Sequence, residues 1–370
     1  MREYITYRQS IFLMSLILPV TGHFLLLNPI IRTSGVSAWT AILLSLPFGI
    51  GFAVILYRLH RFYPSYTIIQ MIEQAWGKWI GKAITVTVLL YFGYMMVITF
   101  YAFSDYVQVV FLPETPLWAI GILFYMVVWY AIYVGTETIT RISEPLFLFI
   151  MLSGIAIGLS SLPYKDYHVL LPLFPDGLRP VLYGIPMTLS LFGEMSILLM
   201  LKLKKDHDRS KSLLVTNIML SILITIMFVG TTTSVLSIFG EIQGSNLDYP
   251  AQSVLRLVKF PMMERFDMYG VTIMTFASTI RMSIFHIATQ TAFEQWKGPI
   301  KRKWLFQSTL SAAIIIVSFT AIPNIIQFMD LVVRRMYPWT GFVSVGFPTL
   351  TWLILEIKHL NQRGKTPQLA

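Results

Sequence analysis

The 370-residue sequence contains no cysteine, which excludes disulfides and thiolate metal ligands and leaves the redox compartment unreadable. Charge is scarce: Asp, Glu, Lys and Arg make up 12% of the chain, whereas 55% is hydrophobic. A soluble domain of this size could not hide so much apolar surface, so lipid is the expected solvent for most of it. Runs rich in Pro, Gly and Ser are missing, as are low-complexity tracts and any polar stretch large enough for a second domain. One integral membrane domain over residues 1–370 is expected. The sequence also lacks a serine nucleophile elbow, a zinc-binding helix motif, a phosphate loop and a carboxylate pair within one span. No enzyme is expected, and no catalytic residue, metal site or cofactor is assigned.

What the chain does have is ten apolar stretches, at approximately 9–31, 38–57, 83–104, 116–134, 145–162, 181–201, 212–239, 266–292, 305–323 and 338–357, each near the ~17–25 residues that a helix needs to cross the hydrocarbon core. The first is too long for a signal-peptide core and is expected to stay as a span. Trp39, Trp118, Trp304 and Trp339 fall near span ends, where an amphipathic ring suits the interface. The net charge of +10 invites a nucleic-acid reading, but its placement favours a membrane orientation. With the N-terminus inside, inner loops and tails hold 19 of the 28 Lys and Arg residues, outer loops hold eight, and Arg281 lies within a span. That bias puts both termini in the cytoplasm. Lys202, Lys204, Lys205, Arg209 and Lys211, with Lys297, Lys301, Arg302 and Lys303, are expected to face anionic lipid.

Two connections look structured. Tyr66 to Trp79 reads as a short inner surface helix. Tyr249 to Pro261 reads as an outer amphipathic helix across the mouth of the protein, either a lid or a packed surface element. Gly154 and Gly158 form a G-x-x-x-G pair, expected to pack within the bundle.

Ten spans divide into two sets of five, and the first span of each set carries a glycine beside an ionisable residue at mid-membrane depth. These are Thr21-Gly22-His23 and Phe192-Gly193-Glu194. Two interrupted helices at corresponding positions are how an inverted-repeat transporter fold builds its binding site. Pro19, Gly22 and Pro29 weaken the first helix, since proline removes a backbone donor. Freed N–H groups suit a carboxylate and freed carbonyls an ammonium group, so a small zwitterionic or polar ligand is expected. Ionisable groups in the bilayer mark pathways, sites or partners. At the ~1.5 Å rise of a helix, Glu194 and Arg281 each sit roughly 20 Å down from the outer ends of their spans and so reach one level. Opposite charges there would offset each other's desolvation. Such a pair either fixes helix packing or walls a cavity as a gate, and the adjacent glycine favours the second reading. His286 lies one turn nearer the inner end. Tyr91, Tyr94 and Tyr101 on span three, and Thr275, Ser278, Thr279 and Ser283 on span eight, read as packing or as cavity lining.

These residues resemble a family. The segment Tyr249-Pro250…Arg256-Leu257-Val258…Pro261…Glu264-Arg265-Phe266-Asp267 is similar to the stretch before the eighth helix in the B subunits of spore germinant receptors. Those are endospore germination permeases of the amino acid–polyamine–organocation superfamily. Pro19 to Pro29 resembles the superfamily's broken first helix, and Glu194 stands where the family places a sixth-helix glutamate. The resemblance implies an all-α, ten-helix fold with five-plus-five inverted repeats and broken helices 1 and 6, in the inner spore membrane. It also implies binding of a nutrient germinant, commonly an amino acid, and assembly with A and C subunits. By position, Thr21, Gly22 and His23 match the first break and Phe192, Gly193 and Glu194 the sixth. Tyr94, Ile98 and Tyr101 match the pocket-facing part of helix three, with Thr279 and Ser283 on helix eight. His23 stands where a small or apolar residue is expected. A nutrient sensor is the leading expectation, with a proton-coupled amino-acid transporter or an ion-conducting subunit as alternatives.

Overall fold

The computed structural model describes residues 4–203, 210–257 and 267–363. Among these, nine helices are long and apolar enough to cross a membrane. The first, Tyr7–Phe62, runs for 56 residues, about 84 Å at the α-helical rise and more than twice a hydrocarbon core. It doubles back at Gly35, whose φ of +56° suits glycine. Tyr7 near its start therefore meets His60 near its end, hydroxyl to Nε2 at 3.1 Å. The described residues thus hold ten helical segments able to cross a membrane.

Span one comprises α1 (Tyr7–Pro19), a π-helical stretch Val20–Leu26 and α2 (Leu27–Ser34). Span two is α3 (Ala38–Phe62), followed by the short α4 (Ile68–Trp76). Spans three to five are α5 (Lys78–Val110), α6 (Leu117–Val134) and α7 (Thr136–Ser160). Span six joins α8 (Arg179–Gly193) to a 3-10 stretch, Glu194–Met200. Span seven is α9 (Ser210–Asn246), kinked at Gly240, and α10 (Pro250–Leu257) follows it. Spans eight and nine are α11 (Asp267–Lys297) and α12 (Lys303–Ala321). Span ten begins at α13 (Ile325–Gln327), passes through π turns at Phe328–Met336 and Phe342–Gly346, and ends as α14 (Phe347–Arg363).

The packing places spans one, six, three and eight at the centre. Leu13, Leu16, Ile17, Val20, Leu25 and Leu26 of span one are all within 1% of full burial, so it is surrounded by protein rather than lipid. The α7 helix is mostly bare, as a helix facing lipid or a partner would be. Its Gly154 and Gly158 have no atom within 4 Å of an added Cβ. The G-x-x-x-G pair therefore faces outward, and the expectation that it packs within the bundle is corrected. The pattern is shared by inward and outward pairs, and only the neighbours decide.

The short α4 starts with a reciprocal cap between Thr67 and Gln70 and ends at Gly77 (φ +80°). Lys358 Nζ donates to the carbonyls of Gln74 and Ala75 at its end. Two span boundaries move. Span five starts at Thr136 rather than 145, because Pro145 is carried inside the helix, Glu137 pairs with Arg141 at its exposed end, and Glu144 pairs with Arg8 of span one. Span ten starts at Ile325 rather than 338, since π turns keep an irregular, charge-bearing stretch helical. Of the basic cluster, Lys204, Lys205 and Arg209 lie outside the described residues. So do Val258, Pro261, Glu264, Arg265 and Phe266 of the stretch before span eight.

Candidate functional site

Span one stays right-handed throughout, but its pitch opens for the seven residues Val20–Leu26, which include Thr21, Gly22 and His23. Pro19, immediately before, lacks the N–H that a regular α-helix would donate back one turn, and Pro29 repeats the defect after it. Widened turns of this kind recur at functional sites. Span six tightens instead: after Gly193 it becomes a seven-residue 3-10 helix, longer than such pieces usually run. The two interruptions lie where the sequence puts them, as changes of helical pitch and not as extended breaks.

Both open onto one buried cluster. Glu194 and Arg281 are each fully buried, and Arg281 Nη1 donates to Glu194 Oε2 at 2.5 Å. Taking two such charges out of water costs several kcal/mol per ion, and the surroundings offset that cost group by group. Thr21 Oγ1 donates to Glu194 Oε2 (3.2 Å) and the Tyr337 hydroxyl to Oε1 (2.6 Å). Arg281 Nε donates to Thr99 Oγ1 (2.8 Å), and Nη1 also reaches the Ile17 carbonyl (3.3 Å) just before the π stretch. Met95 Sδ lies 3.4 Å from Nη2, and the guanidinium carbon lies 5.0 Å from the centre of the Phe285 ring. Five spans thus converge on one ion pair: one, three, six, eight and ten.

Toward the end of the bundle opposite the Tyr7–His60 contact, a second cluster lies over the ion pair. Tyr249, just before α10, stacks on Phe24 of the π stretch (5.2 Å) and donates to Asp105 Oδ2 (2.7 Å) and the Ala102 carbonyl (3.2 Å). Tyr106 donates to Gln252 Oε1 of α10 at 2.8 Å and packs edge-on against Phe24. Arg32 Nε holds the Ser245 carbonyl at 2.7 Å. Burial pushes the Asp248 carboxyl above its ordinary range, with Arg32 pulling it back. The α10 helix lies over the wide turn of span one and is fastened to span three.

The site residues expected from sequence divide into two groups. Thr21, Glu194 and Arg281 meet directly, and Tyr94, one turn before Ile98, packs partly buried against the core. Ile98 is fully buried. The others point elsewhere. Gly22 faces Leu191 and Phe228, and a Cβ there would meet both at an ordinary 3.6 Å. His23 turns to span seven, its Nε2 3.3 Å from Thr231 Oγ1. Tyr101 packs on Phe328 of span ten (4.8 Å). Phe192 lies flat on Gly49 of span two, where a Cβ would come within 2.9 Å of its ring. Gly193 is needed for a different reason: a Cβ there would fall 2.1 Å from Ser344 Oγ of span ten. Ser283 bonds back to the Thr279 carbonyl (2.7 Å) and faces Val128 of span four, while the buried Thr279 hydroxyl makes no hydrogen bond.

His286, although nearer the inner end of span eight than Arg281, is closed off from solvent. It is fully buried between the Tyr125 hydroxyl and Gln307 Oε1, each at 2.9 Å. Sequence reasoning missed Tyr337 and Thr99. Tyr337 fell one residue outside the expected start of span ten; the two prolines and two glycines from Pro338 to Pro348 were the available sign that this span is irregular. Thr99 resembled any apolar-face threonine, with nothing to mark it as an Arg281 acceptor.

An all-helical membrane protein whose first and sixth crossings change pitch around a buried ion pair has a transporter-type architecture. The fold is shared with crystal structures of two mutants of the manganese transporter of Eremococcus coleocola, with TM-scores of 0.54 and 0.53. Both are 14% identical and align over 98% of this chain and 89% of theirs, a likeness of fold alone. A match to the family described as "Spore germination protein" covers residues 4–326, and the chain belongs to that family. It is 26% identical to spore germination protein YndE of Bacillus subtilis (strain 168) over 249 residues, 65% of this chain and 67% of that one. It is also 25% identical to spore germination protein GerQB of Bacillus cereus over 335 residues, 88% of each. This is the germinant-receptor B-subunit family that the broken first helix and the stretch before span eight resemble.

Proposed function

We propose that this chain is the nutrient-sensing membrane subunit of a spore germination receptor. It sits in the inner spore membrane with both termini in the cytoplasm and works beside A and C subunits. Its ligand is a small amino-acid-like molecule taken at the interruptions of spans one and six. The observation that carries this reading is the Glu194–Arg281 pair, fully buried and held by hydroxyls from three further spans. A zwitterion brings both charges that the pair already balances. Its carboxylate can replace Glu194 on the guanidinium while its ammonium group takes the Glu194 carboxylate, so charge stays neutral throughout the exchange. Because five spans hold the pair, parting it moves helices, and a ligand that prefers the parted arrangement shifts the population toward it.

A cation cargo is not carried over from the manganese transporter likeness. The Glu194 carboxylate already faces a guanidinium, and among the described residues no three His, Asp or Glu side chains gather as a metal site. A proton-coupled amino-acid transporter is the second reading, favoured by the transporter-type fold itself. Counterflow in proteoliposomes separates the two. A sensor binds a labelled amino acid without exchanging it across the membrane, whereas a transporter accumulates the label. Conductance without bound amino acid would favour an ion-conducting subunit. If Glu194→Gln left the germination response to amino acids unchanged, the assignment of this site would be wrong.

A further inference from the structure

At the end of the bundle where Tyr7 meets His60, the ends of spans two, seven and ten border an open pocket of about 560 Å³, lined by Tyr57, Arg58, Arg61, Phe62, Glu356 and His359 among others. That volume is in the range of small-ligand sites. Arg58 and Arg61 are three residues apart on the last turns of α3, so both guanidinium groups overhang one face. Arg58 is only loosely neutralised: Glu356 Oε1 is 3.6 Å away, and the guanidinium also lies 5.6 Å from the centre of the Trp352 ring. Among the described residues Arg61 has no acidic partner. The His359 ring stacks on Phe62 at 4.7 Å and 8°, fixing the imidazole against the wall. Two guanidiniums and an imidazole therefore face one carboxylate, above a floor of Val54, Leu214 and Leu360.

We infer that this pocket binds a phosphate group, carried either by an anionic phospholipid headgroup or by a small soluble phosphate ester. Guanidinium forks match phosphate oxygens in pairs, and basic pockets between helix ends at headgroup level take anionic lipid heads. The aromatic and aliphatic walls suit the glycerol and first methylenes of a lipid. A ligand bound there would bridge span two to span ten. The pocket is remote from the amino-acid site and does not depend on its assignment.

The test uses the full-length protein in detergent, with native mass spectrometry reading retained lipid. Phosphatidylglycerol and phosphatidylcholine are the lipid probes; inorganic phosphate and glycerol phosphate are the soluble competitors. Phosphatidylglycerol should be retained over phosphatidylcholine, with retention falling about five-fold in Arg61→Ala and further in Arg58→Ala/Arg61→Ala. Lys301→Ala, an exposed charge at the same end of the bundle, should leave it unchanged. If millimolar glycerol phosphate or phosphate displaces the lipid with the same Arg61 dependence, the ligand is the soluble ester. If it does not, the ligand is the lipid. Equal retention in wild type and Arg61→Glu overturns the inference, as does an equal loss in Lys301→Ala.

Discussion

Replacing Glu194 with Gln leaves the Arg281 guanidinium without its counter-charge in a fully buried place. Breaking a buried pair on one side costs about 3–5 kcal/mol, whereas replacing both partners with apolar groups is often neutral. Thermal unfolding of the purified protein should therefore show Glu194→Gln strongly destabilised and Glu194→Gln/Arg281→Met closer to wild type. A double variant worse than both singles would mean that the pair is not a unit. The Tyr337 hydroxyl donates to a charged oxygen at 2.6 Å, so Tyr337→Phe should lower stability by about 1.5–3 kcal/mol in the same assay. At this scale the sequence exposed the charges but not their partners. Glu194 and Arg281 stand out because ionisable residues are rare in apolar spans, and counting helical rise puts them at one depth. Thr99, Tyr337 and the Ile17 carbonyl are ordinary groups whose role comes only from what approaches them.

At the scale of elements, the two glycines beside the site have different work, and the structure separates them. Gly193 lets span six touch the π turn of span ten, and a Cβ there would collide with Ser344. Gly193→Ala should cost about 1–3 kcal/mol or more, with Ser344→Gly restoring part of it. Gly22→Ala has ordinary contacts waiting for its methyl, so its effect on stability should stay within about 1 kcal/mol, helped by alanine's better helix propensity. The α10 helix invites a third test, and the cysteine-free sequence gives it a clean background. In a Thr21→Cys protein, thiol labelling from the α10 side should speed up roughly ten-fold or more when Tyr249→Phe removes the bond to Asp105. An unchanged rate would make α10 a packed surface element and not a cover. The element boundaries that sequence located well lie near glycines with positive φ: Gly35 between spans one and two, and Gly77 at the end of the short inner helix. Those it missed carry proline or charge inside the helix, as spans five and ten do, because neighbouring protein accommodates there what an isolated helix would not. The sequence also foretold interruptions in spans one and six, but as breaks that free backbone N–H and carbonyl groups, whereas both are changes of helical pitch. A π turn and a 3-10 turn keep nearly every backbone group paired, which an extended break does not.

For the whole molecule, the ten crossings and their transporter-type arrangement follow from where apolar runs stop, and the family match agrees with that reading. Where spans one and six meet, the protein's own buried ion pair occupies the centre of the bundle. On the function proposed above, ligand binding is an exchange of partners, coupled to movement of the five spans that hold Glu194 and Arg281. A ligand must favour the parted state by about 5.5 kcal/mol to move the molecule from one part in a hundred open to nearly all open. The direct measurement is the labelling rate of the Thr21→Cys protein, purified in lipid nanodiscs, across a panel of amino acids with binding followed on the same samples. An amino acid that binds should change that rate at the same concentrations, and Glu194→Gln/Arg281→Met should abolish both effects. Saturable binding that persists in this double variant, with the thiol's rate untouched, would contradict the exchange of partners.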